Sequence, residues 1–243
     1  MKKSKIFTFS GRIFLQNFVI IFVIAFSAIL SVFCINLTPV AKNSSEIYYF
    51  GDKNSNKISL MINVYWGTEY LDDMLEILKK YDVKTTFFVG GTWAVKESDK
   101  LQKIVDDGHE IANHGYGHKD HSKLSEDAQR KEILNTHKIV KELVGVDMNL
   151  FAPPSGAYNK TTLKVVSELG YKAVMWTQGK DTIDWRDHDS NLIFQRATRN
   201  CHGGDLILMH PTEATKNALE RILTTIQDLN FQICSVSENL SQK

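Results

Sequence analysis

From residue 58 onward the hydrophobic pattern keeps switching between two periods. Short runs rich in β-branched and aromatic residues alternate with amphipathic stretches of helical spacing. The strand-like runs are Ile58–Val64, Thr85–Val89, Glu110–Asn113, Leu150–Ala152, Tyr171–Trp176, Leu206–Met209 and Gln232–Val236. Between them the spacing predicts helices near Tyr70–Tyr81, Asp99–Asp106, Ser125–Val144, Asn159–Leu169, Asn191–Thr198 and Glu213–Leu229. Ser125 and Asn159 read as N-caps, and Gly145 and Gly170 as stops. Seven strands and six helices in strict alternation imply a parallel sheet covered by helices. That many repeats in one stretch favour an incomplete barrel, with an open doubly wound sheet as the alternative. No Gly-rich phosphate loop supports a nucleotide fold.

The amino-terminal end has a different character. Residues 1–45 carry five basic residues and no acidic one, which leaves 24 basic against 28 acidic beyond them. An overall net charge of +1 gives no support to nucleic-acid binding. Lys2, Lys3, Lys5 and Arg12 precede an apolar run, Phe18 to Ile35, broken only by Ser27 and Ser31. Eighteen residues at about 1.5 Å each reach about 27 Å, enough for a bilayer core. The positive flank is expected inside, placing the rest of the chain outside a cell membrane. The run reads as a single transmembrane or signal anchor. Cleavage after Ala41 would put Pro39 at the −3 position, which is poor for a signal peptidase. The expected organisation is therefore a basic segment and anchor over 1–37, a polar linker over 38–57, and one domain over 58–240. Of the three cysteines, Cys34 lies in the apolar run. Cys201 and Cys234 read as buried thiols, with pairing as the alternative.

In parallel α/β folds the working residues gather beyond the carboxyl ends of the strands. Those positions hold Asn63 to Gly67, Asn113 to His118, Ala152 to Gly156, Trp176 with Asp181 to Trp185, and His210-Pro211. Three histidines, two acids and several aromatics thus converge on one mouth. That combination suits a metal or acid–base site.

These segments resemble the polysaccharide deacetylase family, the NodB-type domain, over about residues 57–240. Members carry T-F-D-D-G, H-x-x-x-H, R-x-x-P, D-x-x-W and L-x-x-x-H motifs. This chain has His114-Gly-Tyr-Gly-His118, Asp181-Thr-Ile-Asp184-Trp185 and Leu206-Ile-Leu-Met-His210. Trp66-Gly67 is similar to a sporulation-associated subgroup with F-D-x-x-W-G. The resemblance implies a distorted (β/α)7 barrel, here preceded by the anchor helix. It also implies metal-assisted removal of acetyl from an N-acetylated cell-wall glycan such as peptidoglycan. In the family an Asp and the two histidines hold a divalent metal such as zinc, and the first motif's first Asp acts as base. The resemblance makes His114 and His118 metal ligands, His210 the acid that protonates the leaving amine, and Asp184 its partner. Pro153, Ser155, Trp66 and Trp185 fall at substrate-binding positions; aromatic faces there either stack on sugar rings or plug the barrel end.

The chain departs from the family at three places. Asn63 stands at the base position, Val64 at the metal Asp, and Ala152 at the Arg that steadies the base. An amide takes no proton near neutral pH, and valine offers no ligand. A buried Arg without its carboxylate would be costly, so Asn63 and Ala152 read as one coordinated loss. Either the site is rebuilt, with Glu69, Asp120 or Asp181 supplying a carboxylate and His121 a third ligand, or it is a catalytically inactive glycan-binding relative.

Overall fold

The computed structural model describes residues 46–241. Eight parallel strands form one sheet: β1 Ile47–Tyr48, β2 Lys57–Val64, β3 Thr86–Val89, β4 Glu110–Asn113, β5 Leu150–Phe151, β6 Lys172–Val174, β7 Leu206–Met209 and β8 Gln232–Ile233. Their order is β1-β6-β5-β4-β3-β2-β7, with β8 paired to the start of β2. Between β1 and β7 the ring is joined by irregular chain rather than by a strand. There the amide of Thr177 donates to the carbonyl of Leu206 (2.9 Å), that of Leu208 to Lys180 (2.9 Å), and that of Thr182 to Leu208 (3.2 Å). The result is a distorted barrel with a seam along β1 and residues 177–182.

Period-two alternation sorts the strand residues. Leu60, Ile62, Val64, Phe87, Val89 and Met209 face the helices in the outer core. Met61, Phe88, Ala112, Leu150, Ala152, Val174 and Leu208 fill the barrel, closed below by Val236 and Leu240. The helices obey their caps. Ser125 accepts from the amide of Ala128 (3.3 Å) at the start of Glu126–Val144, and Gly145 ends it at φ 74°. Asn159 closes a capping box with Thr162.

Two expectations are corrected. The segment expected as a linker over 38–57 contains β1. Its two residues are too few to show a period, and pairing with β6 is what makes them a strand. The turn after β1 is equally built in: a Cβ on Gly51 would lie 2.1 Å from Asn239 Oδ1, so only glycine fits there. The domain therefore begins before residue 58. Two short helices, Gly91–Lys96 and Val236–Leu240, add to the six that the spacing predicts. The second replaces the end of the expected last strand, because Ser235 caps it by accepting from the amide of Glu238 (3.2 Å). The apolar run Phe18 to Ile35 lies outside the described residues. Among the described residues no helix is long and apolar enough to cross a membrane. Cys201 and Cys234 are both free thiols.

Candidate active site

The carboxyl ends of the strands open into a mouth of about 380 Å³. It is lined by Asn63 at the end of β2 and Tyr65 just after it, His114 and His118 after β4, and Ser155 and Gly156 after β5. Trp176, Asp181 and Trp185 line it after β6, with Leu208 on β7 and His210 just after it. Asn63, two residues past the inward Met61, points into the barrel and is 4% exposed. Its Oδ1 is buried without a hydrogen-bond partner. The next residue, Val64, turns outward and is fully buried against the helices. Tyr65 turns in again, and its ring lies flat on His118, centroids 3.5 Å apart at 18°.

His114 is fixed by the Ala152 carbonyl, 2.8 Å from Nδ1. Nδ1 therefore carries the proton, and the buried, unpartnered Nε2 presents a lone pair. Burial pushes this imidazole down to about 3. His118 sits beside it with ring centroids 5.1 Å apart, also shifted down, first by burial and then by His210.

His210 and Asp184 form a closely hydrogen-bonded pair. Asp184 is fully buried. Its Oδ1 lies 2.7 Å from His210 Nδ1, while Oδ2 accepts from the His210 amide (2.6 Å) and the Thr215 hydroxyl (2.5 Å). Asp184 thus reaches the mouth through His210, which keeps Nε2 for a ligand. Trp66 stacks parallel to His210 at 5.7 Å. Backbone strain collects around this ring of groups. His118, Ser155 and Ile183 all have φ between 51° and 55°, and for β-branched Ile183 that region is a true outlier.

The remaining expected residues divide. Ser155 and Trp185 line the mouth, with Trp185 on its rim and 53% exposed. Pro153 is buried in the loop beneath, and Trp66 supports His210 from outside the lining. His121 does not join the mouth. It is buried under the 115–123 loop against Phe151, ring centroids 5.0 Å apart, so a role as third metal ligand is not supported. Asp120 caps its own turn through Ser122 and pairs with Lys123, and Glu69 lies in a separate surface hollow. Of the three substitute carboxylates only Asp181 faces the mouth, its pKa raised by burial. Tyr65 is a mouth residue beyond the motif positions, and continuing the in–out alternation past Asn63 points to it.

The donor set does not fit the family's metal. His114 and His118 bring two nitrogens, Val64 is turned away, and Tyr65 covers His118. Among the described residues no three His, Cys, Asp or Glu side chains gather into a ligand set, where stable sites use three or four. What the mouth offers is proton transfer at His210 Nε2 and an amide, Asn63, that can donate to a carbonyl and accept from an N–H.

Buried neutral histidines also set a pH dependence. Burial holds His109 and His121 down at about 4. Between that value and the ordinary 6.5 the unfolded chain binds more protons, so stability rises with pH across this window and falls as pH drops through it. Each group contributes roughly 3 kcal/mol above pH 6.5. Denaturant midpoints measured from pH 7 to 4.5 should fall, and His109→Gln should flatten the slope. An unchanged slope would show that His109 titrates alike in the folded and unfolded chains.

Comparison with known proteins gives consistent results. The profile described as polysaccharide deacetylase matches residues 50–174. The uncharacterized protein YlxY of Bacillus subtilis is 38% identical over 197 residues, 81% of this chain and 61% of its own length. A peptidoglycan-N-acetylglucosamine deacetylase of Bacillus cereus is 30% identical, covering 78% of this chain and 70% of the relative. The crystal structure of a CE4 family pseudoenzyme from Bacillus anthracis superposes with a TM-score of 0.78 at 36% identity, covering 81% of this chain and 69% of that one. The chain thus spans less than two thirds of the length of YlxY and somewhat more of the other two. With the profile, the identities and the barrel in agreement, the chain belongs to the polysaccharide deacetylase family, the CE4 carbohydrate esterases, whose structural neighbours include pseudoenzymes.

Proposed function

We propose that this protein is a glycan-binding member of the family that holds an N-acetylated cell-wall glycan, such as peptidoglycan, in its mouth and releases acetate slowly or not at all. In the same reading residues 1–37 anchor it in the cell membrane, with the domain on the extracytoplasmic side. Asn63 carries the proposal: the position of the general base holds a buried amide with a free carbonyl oxygen. An amide suits an acetamido group as a hydrogen-bond partner but cannot take the proton of an attacking water. His210 with Asp184, the half of the machinery that would serve the leaving nitrogen, is intact. A related Bacillus anthracis pseudoenzyme is described as having a mutant with restored enzymatic activity, which supports a loss confined to a few side chains.

The test is made on one preparation of the full chain. Chitooligosaccharide is expected to bind, with acetate release at or near background, and a chelator wash should leave no stoichiometric zinc. Release at the rate of an active family member, or one tightly held zinc per chain, would overturn the reading.

A further inference from the structure

A second and larger cavity opens along the barrel seam. It measures about 910 Å³, against about 380 Å³ for the mouth, and Trp176 lines both. Its other walls include Tyr49 and Phe50 after β1, Gln178 after β6, and His202 before β7, with Lys53 at the edge. We propose that this seam cleft is a saccharide-binding subsite, which takes the continuation of a glycan strand whose acetylated unit sits in the mouth. The chemistry of the ligand rests on the function proposed above.

Three observations carry it. First, the cleft adjoins the mouth, with the Trp176 ring as their common wall, and that ring has room there by construction. A Cβ on Gly156 would lie 2.8 Å from Trp176 Cη2 and 2.9 Å from Met175 Cε, so only glycine lets Trp176 stand between the two spaces. Second, the aromatic walls are fixed. The Tyr49 hydroxyl is hydrogen-bonded to that of Tyr158 (2.5 Å), on the same loop as Ser155 and Gly156, and the Lys53 ammonium lies 3.8 Å from the Phe50 ring centroid. The Thr177 hydroxyl ties the seam by donating to the Tyr49 carbonyl (2.8 Å). Third, the polar groups lie beside the rings. Gln178 and His202 are exposed and offer donors and acceptors; among the described residues the lining holds one lysine, Lys53, and one buried carboxylate, Asp205, which is paired with Lys180 (3.4 Å). Ring faces flanked by hydrogen-bonding groups suit a pyranose, which is apolar across its faces and polar around its edge; one lysine beside a carboxylate does not make a site for a polyanion.

The open seam explains why the space exists. A closed barrel would fill this position with strand pairing, whereas here β1 is two residues long and the strand-like backbone bonds of 177–182 run to β7, leaving the Thr177 hydroxyl as the link to the end of β1.

The experiment measures dissociation constants of chitooligosaccharides of two to six units on the full chain. Affinity should increase at least about tenfold from the disaccharide to the longest oligomer as the cleft is reached. Phe50→Ala and, separately, the exposed Gln178→Ala should remove that increase while leaving disaccharide affinity unchanged; unfolding midpoints serve as the folding control. Equal affinity at all lengths, or a length dependence untouched by both substitutions, would overturn the cleft. Failure of the mouth reading looks different. Binding would then be insensitive to Trp185→Ala at every length yet still weakened by Phe50→Ala.

Discussion

Asn63→Asp combined with Ala152→Arg is expected to raise acetate release from chitooligosaccharide by about 10²–10⁴, the usual worth of general-base help. Both side chains belong to the barrel interior, Asn63 at the end of β2 and Ala152 just after β5, and they are 4% and 3% exposed. Alone, Asn63→Asp places a carboxylate where burial raises its pKa and leaves it a poor holder of charge. Alone, Ala152→Arg buries a cation without a partner and should destabilise the fold. Together they should cost less than the sum, with a coupling of roughly 1–3 kcal/mol if the groups touch. Val64→Asp is not expected to complete a metal shell. Its side chain faces the outer core, so the carboxylate would be buried among helices unless β2 shifts. Additive stability effects with no gain in acetate would show that the two positions do not meet across the mouth.

Asp184→Ala should cost roughly 3–5 kcal/mol of stability, as much as truncating a large core side chain. It strips the carboxylate from three donors at once, two on His210 and one on Thr215, at a fully buried point between β7 and the helix Glu213–Asp228. Thr215→Val removes one of those donors only and should cost about 1–3 kcal/mol. Denaturant unfolding of the two variants separates the cases. A loss below about 1 kcal/mol for Asp184→Ala would mean that water or another donor replaces the carboxylate, and that the pair does not hold His210 in place.

Much of this molecule is written in local pattern. The alternation of periods predicts the parallel barrel, and the ends of Glu110–Asn113 and Leu206–Met209 agree residue for residue between pattern and structure. Strand periodicity then places His114, His210, Asn63 and Ala152 at the mouth, because a residue's side of a strand follows from its count along it. The chemical consequence of Asn63 is equally local, since an amide is no base in any fold.

Other features required the folded chain. Ile47–Tyr48 is a strand only because β6 lies beside it, and two residues carry no period. His121 is three residues from His118, yet it packs against Phe151 while His118 lines the mouth; in a loop with positive φ at Gly115 and His118, sequence distance does not set direction. Trp66 backs His210 instead of lining the mouth, and Asp181 enters it, for the same reason. The seam and its cleft are the clearest case. They arise from how the ends of a twisted sheet fail to meet, a property of all the strands together and of no single segment.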